Sequence, residues 1–169
     1  MNSFLRNLNH IRLMKQSLMK IAGRFWLRFA AKYPSIYLLE KMRNCLGIQL
    51  TSEELMLITS ALRRKSRVNL LVFGTGNDSE YWFRLNSSGK TVFLENDPSW
   101  VRNAKSIIPG LDVRHIEYNT VRSQWCDLLK DEARLNDGFP DELAKNYWDV
   151  ILVDAPVGWK DSDPGRMKS

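Results

Sequence analysis

The sequence predicts an α/β fold: a Rossmann-like, partial parallel sheet of strand order 3-2-1-4 carrying an N-terminal helical extension. Three features predict it. Residues 70–97, LLVFGTGNDSEYWFRLNSSGKTVFLEND, read as a strand, a glycine turn, a helix and a second strand that ends in an acid. Strand and helix signals then alternate towards the C-terminus, the pattern of parallel strands joined by right-handed crossovers. The preceding stretch is helical in period and carries the positive charge, with 13 Lys and Arg against 3 Asp and Glu over residues 1–67, and 12 against 16 over residues 68–169.

The elements follow in order. Phe4, Leu8, Ile11, Leu18, Ile21, Phe25 and Phe29 recur at amphipathic-helix intervals, with Lys20, Arg24, Arg28 and Lys32 as a basic ridge beside them and Pro34 ending or kinking the helix. Residues 1–47 therefore read as a basic amphipathic extension. It either packs on the domain with its lysines solvated or meets a membrane or other anionic surface through residues 1–33. A second domain, residues 48–169, begins with Thr51 and Glu54, which have capping-box spacing ahead of a helix that ends at Arg63, Arg64, Lys65 and Arg67. The strand VNLLVF (68–73) leads into Gly74-Thr75-Gly76, and Asp78 or Ser79 caps the next helix. Glu95 closes the second strand, and Asp97-Pro98 opens a helix that stops at Pro109-Gly110. A third strand is expected over 112–118, a helix over 121–135, a loop with a short turn over 139–146, and a fourth strand over 148–154, apolar on both faces. In the 3-2-1-4 order the fourth strand is an edge, so unless the N-terminal helices shield it, residues 148–153 are expected either to support homo-oligomerisation or to leave the chain weakly stable.

The glycine turn lets backbone N–H groups approach a ligand, and Glu95 suits the hydroxyls of a ribose. A dinucleotide fingerprint would place its third glycine at position 79, where this chain has Ser79, so adenosine without a pyrophosphate fits better. S-adenosylmethionine is such a ligand, and a class I methyltransferase fold is the reading that follows. Another nucleotide-binding α/β protein and a ligand-free structural βαβ unit are the alternatives. Asp154, at the end of the fourth strand, is the best-placed catalytic carboxylate, its other reading being a loop cap.

Two isolated cysteines, Cys45 and Cys126, make neither a disulfide framework nor a zinc site and are expected to be buried thiols. His10 and His115 have no second ligand at useful spacing, so no metal centre is predicted. No run of 18 apolar residues occurs, which gives a transmembrane anchor no support. The basic residues have no recognition motif or aromatic platform beside them, and nucleic acid is not an expected partner.

VFGTGNDSEYW, TVFLENDPSW, FPDEL followed by YWDVILVDAP, and DPGRM resemble, in order and spacing, the plant polysaccharide-biosynthesis family of glucuronoxylan 4-O-methyltransferases and irregular-xylem xylan proteins, over roughly residues 48–168. The resemblance implies an S-adenosylmethionine-dependent O-methyltransferase acting on a uronic acid in a polysaccharide. It places Gly74, Gly76, Asp78 and Ser79 around the methionine part, Glu95 on the ribose, Asn96 and Asp97 on the adenosine side, and Asp154 and Pro156 at the transferred methyl. Arg166 would pair with the acceptor's uronate, or else fix its own loop. A divalent cation is also implied, for which only scattered carboxylates are at hand. The family continues beyond PGRM, so the domain is expected to be incomplete at its C-terminus, and a cytoplasmic or peripheral-membrane location is expected, Golgi only if an anchor is missing from this chain. Further readings are a non-catalytic nucleotide-binding or assembly module and a basic protein that binds membrane or polyanion.

Overall fold

The computed structural model describes residues 2–131, 133–134, 139–154, 156 and 158–165, with residues 2–9 described by their backbone alone. The chain runs α1 (Asn2–Lys32), α2 (Ile36–Leu46), α3 (Ser52–Leu62), β1 (Asn69–Phe73), α4 (Ser79–Leu85), β2 (Lys90–Glu95), α5 (Pro98–Ile107), β3 (Asp112–His115), a 3-10 turn (Arg122–Gln124) continuing into α6 (Trp125–Leu128), α7 (Asp141–Ala144) and β4 (Val150–Val153). Two compact units result: the helices up to Arg64 together with Glu80–Leu85, and the sheet with its remaining connections.

In the helical unit, α1 stops short of Pro34 as its fixed backbone requires. Helix α2 is not among the elements expected from apolar periodicity, although its end signals are present. Ser35 Oγ accepts a hydrogen bond from Leu38 N, and Gly47, at φ 69°, donates its N–H to the Arg43 carbonyl. The expected capping box at the start of α3 forms in both directions, Glu54 N donating to Thr51 Oγ1 at 3.2 Å and Thr51 N to Glu54 Oε2 at 2.8 Å. Those bonds hold the Glu54 carboxyl below its usual range. Glu40 ties α2 to α3 by accepting from Ser52 Oγ, and that bond together with Asn44 lowers its pKa as well. Tyr81 of α4 meets Thr59 of α3 at 2.8 Å, both side chains being buried, and burial pushes the phenol up.

The second unit is built on an all-parallel sheet of order β3-β2-β1-β4, as predicted. Leu70, Leu71, Val72 and Phe73 of β1 and Val92, Phe93 and Leu94 of β2 are buried, which is why the sequence there is apolar without alternation. One side of the core joins Leu71, Phe73, Val92, Leu94, Ile116 and Leu143, with Tyr118, Phe139 and Trp148 packed against it. Asp149 fixes the start of β4, accepting from Asn69 N at 2.9 Å and from Lys65 Nζ at 2.5 Å.

Two connections differ from expectation, and so does the burial of the cysteines. Strand β3 ends at His115 rather than at residue 118, because its partner β2 ends at Glu95 and only Ile116 N still reaches the Glu95 carbonyl. Where a helix is expected over 121–135, the described residues form a 3-10 turn, one turn of α-helix up to Leu128, and helical residues at 133–134. The first amides of the 3-10 turn donate to the carbonyls of Asp163 and Asp161, and of the apolar residues of α6 and its C-cap Leu128 is buried while Trp125 and Leu129 are exposed, so no continuous apolar stripe carries α6 past Leu128. Cys126 on this segment is exposed and Cys45 only partly covered, against the expectation of two buried thiols.

Candidate cofactor site at the carboxyl edge of the sheet

Register alone brings the predicted residues of three strands to one edge. Phe73 pairs with Leu94 on one side and with Val153 on the other, so Gly74, Glu95 and Asp154 all follow at the carboxyl ends of β1, β2 and β4. The backbone continues the ladder for one more step, Gly74 N donating to the Leu94 carbonyl at 2.7 Å and Asp154 N to the Phe73 carbonyl at 2.9 Å. Glu95 and Asp154 therefore flank β1 on the same side of the molecule, two strand spacings or about 10 Å apart at the backbone.

The turn between β1 and α4 is closed by its own residues. Gly74 takes φ 101°, a conformation that side-chain-bearing residues rarely adopt. Thr75 donates both its N–H and its hydroxyl to Glu95 Oε2, at 2.8 and 2.9 Å. Gly76 N donates to Ser79 Oγ at 2.9 Å, and Ser79 N returns a bond to the Gly76 carbonyl at 3.3 Å. The sequence reading expected these backbone N–H groups to face a ligand. The amides of Gly74, Thr75 and Gly76 are instead consumed inside the protein. Above Gly76 there is still room: a Cβ added there would meet only Asp78 Oδ1, at 3.0 Å.

Glu95 is 5 % exposed and acts as a bracket between two turns, its other oxygen, Oε1, accepting from Asp97 N at 2.8 Å. A carboxylate has about four acceptor positions, so the three bonds from Thr75 and Asp97 leave capacity for a hydroxyl. Asp97 caps α5, Oδ1 accepting from Ser99 N at 2.7 Å and Ser99 Oγ at 2.6 Å, and the Ser99 bonds lower its pKa. The carbonyl of Asn96 lies 3.0 Å from Nε2 of His115, the last residue of β3. Pro156 is buried, and Asp154 is exposed at the end of β4. Arg166 lies outside the described residues.

Sequence reasoning missed Thr75. Its signal was a hydroxyl residue between two glycines, opposite an acid at the end of the neighbouring strand. It also missed the loop beyond β4, where Asp163 Oδ2 accepts from Trp159 N and Lys160 N at 3.1 and 2.9 Å, and Arg122 Nη1 donates to the Trp159 carbonyl at 2.6 Å. Among the described residues no group of three or more His, Cys, Asp or Glu is arranged to hold a metal ion.

The chemical character of the edge follows. The turn amides are spent, and Asp78, Glu95, Asp97 and Asp154 bring carboxylates, so the edge offers acceptors and negative charge. A pyrophosphate needs the reverse, whereas hydroxyls and cationic groups suit it.

A family model described as IRX15/IRX15L/GXM matches residues 53–137. Among curated proteins, Glucuronoxylan 4-O-methyltransferase 2 of Arabidopsis thaliana is 36% identical over 137 residues, 72% of this chain and 47% of that protein. Arabinogalactan O-methyltransferase 2 of Arabidopsis thaliana is 37% identical over 139 residues, 70% of this chain and 48% of that protein. Protein IRREGULAR XYLEM 15 of Arabidopsis thaliana is 33% identical over 137 residues, 69% of this chain and 42% of that protein. The chain spans about half the length of these relatives. No solved structure matches it.

Proposed function

Because the chain belongs to the IRX15/IRX15L/GXM family, we propose that it is an S-adenosylmethionine-dependent O-methyltransferase of class I Rossmann-like fold that methylates a hydroxyl of a uronic acid in a polysaccharide. The observation that carries the cofactor assignment is the acceptor-rich edge: with the amides of Gly74, Thr75 and Gly76 internally bonded, the turn favours a positively charged group, such as the α-ammonium of an amino-acid tail, over a phosphate. The open space above Gly76 fits such a group, and the remaining acceptor capacity of Glu95 fits a ribose hydroxyl. When bound, S-adenosylmethionine supplies a methyl group on a positively charged sulfur. Gly74, Gly76, Asp78 and Ser79 would hold its methionine part, with Asn96, Asp97 and Pro156 bounding the rest.

Asp154 is assigned as general base. Its carboxylate would take the proton of the acceptor hydroxyl that receives the methyl group. The residues around the turn would contribute by positioning the acceptor hydroxyl beside Asp154. Arg166 is assigned to the uronate carboxylate, since a guanidinium matches it with two parallel hydrogen bonds. Arg166→Ala is expected to raise the acceptor's KM far more than the cofactor's, and equal effects on both would remove that assignment.

A non-catalytic assembly module is the second reading, favoured by relatives such as Protein IRREGULAR XYLEM 15, whose names specify no reaction. Methyl transfer to glucuronoxylan separates the two. The first reading expects turnover that falls at least about 100-fold in Asp154→Asn while cofactor affinity stays within about twofold. A chain that binds cofactor and transfers nothing to any uronic-acid glycan supports the module instead.

A further inference from the structure

Helix α1 has two apolar faces, and the fold uses one of them. Gly23, Leu27 and Ala30 are buried, and a Cβ at Gly23 would collide with the Leu46 side chain of α2. Ile11, Met14, Leu18, Ile21, Phe25 and Phe29 recur at intervals of three and four along another face, and all are exposed, Ile21 at 67 %. The packed-extension reading of the sequence drew on this same stripe, so the helix does pack, but through other residues. The rings of Phe25 and Phe29 lie 4.8 Å apart, giving the stripe a continuous aromatic end.

The charge on this helix is one-sided. No Asp or Glu occurs in Asn2–Lys32, and Lys20, Arg24, Arg28 and Lys32 follow the border of the exposed stripe at four-residue spacing. Arg24 also reaches Glu80 of α4 at 3.5 Å, and it is half-exposed. No described helix is long and apolar enough to cross a membrane.

We propose that α1 docks on an anionic lipid bilayer, lying in the plane of the interface with the Ile11-to-Phe29 stripe among the acyl chains and the basic ridge among the headgroups. A soluble polyanion would neutralise the ridge and leave the stripe in water. A second copy of this helix would cover the stripe but bring two ridges of like charge together. An anionic membrane surface satisfies both faces, because long basic side chains reach headgroups while aromatic and aliphatic ones insert. This inference stands independently of the cofactor reading.

The test is co-sedimentation of the full chain with phosphatidylcholine vesicles, with and without phosphatidylserine. Binding is expected to be at least about tenfold tighter to the anionic vesicles, and to fall about tenfold in Ile21→Ser/Phe25→Ser and again in the charge reversal Lys20→Glu/Arg28→Glu. All four positions lie outside the proposed cofactor site, and the circular dichroism spectrum should be unchanged in both variants. Equal binding to neutral and anionic vesicles, binding to neither, or indifference to the charge reversal overturns the proposal. So does a dimer in sedimentation velocity that Ile21→Ser/Phe25→Ser abolishes without any change at vesicles, or binding to dextran sulfate that anionic vesicles fail to compete.

Discussion

At the scale of single residues, Glu95 is the most informative group. Sequence spacing identified it as an acid at the end of a strand, and spacing carries no information on what else the carboxylate touches. It brackets the glycine turn and the start of α5 through three bonds from Thr75 and Asp97. Glu95→Gln keeps one acceptor oxygen and turns an amide N–H2 towards a donor, so one buried donor loses its partner. The expected cost is about 1–3 kcal/mol in urea unfolding, together with loss of cofactor binding. Unchanged stability would mean that the bracket does not hold the turn. Thr75 was beyond reach because a hydroxyl in a loop has many uses, and only the fold reveals that it faces Glu95. The spent turn amides were equally hidden, since glycine spacing is the same whether an N–H points to a ligand or to Ser79 Oγ.

At the scale of elements, β4 depends on Asp149. The bonds from Asn69 N and Lys65 hold the Asp149 carboxyl below its ordinary range, so the ionised form is favoured by folding. A depressed folded pKa contributes stability that is fully present above the unfolded value of about 3.9 and lost as pH falls through the lower folded value. Urea midpoints measured as a function of pH are therefore expected to drop in that acid window, and the drop should be smaller in Asp149→Asn. Ile151 and Val153 are 53 % and 42 % exposed on this edge strand, which predicts concentration-dependent association of the chain. Sedimentation velocity should show a dimer that Ile151→Lys disperses, and a monomer at all concentrations would contradict this. Strands β1 and β2 were legible because buried parallel strands are written as continuous apolar runs, β4 because VILV is apolar throughout although its residues stay partly or largely exposed at the edge, and α3 and α5 because their caps are spelled out in Thr51, Glu54 and Asp97-Pro98. Helix α2 was harder. Ser35 and Gly47 mark its ends, but only Leu39 and Met42 are buried in it, too few to set a period. Residues 121–129 differed in the opposite direction, their apolar residues suggesting one continuous helix where Trp125 and Leu129 have little to pack against.

At the scale of the whole molecule, order along the chain and strand register together place Gly74, Glu95 and Asp154 at one edge, and that placement is what the sequence made readable. What the edge prefers to bind follows from which polar groups are already satisfied, a property of the folded state. The central claim is that an acceptor-rich turn selects a cationic adenosine cofactor over a dinucleotide. Isothermal titration of the full chain tests it most directly, with S-adenosylmethionine and NAD run in parallel and Gly76→Val as the variant that fills the space above the turn. Saturable one-site heat is expected with S-adenosylmethionine, none with NAD, and loss of the signal in Gly76→Val. Absence of heat and of any thermal shift with millimolar S-adenosylmethionine, or binding of NAD that Gly76→Val removes, would contradict it.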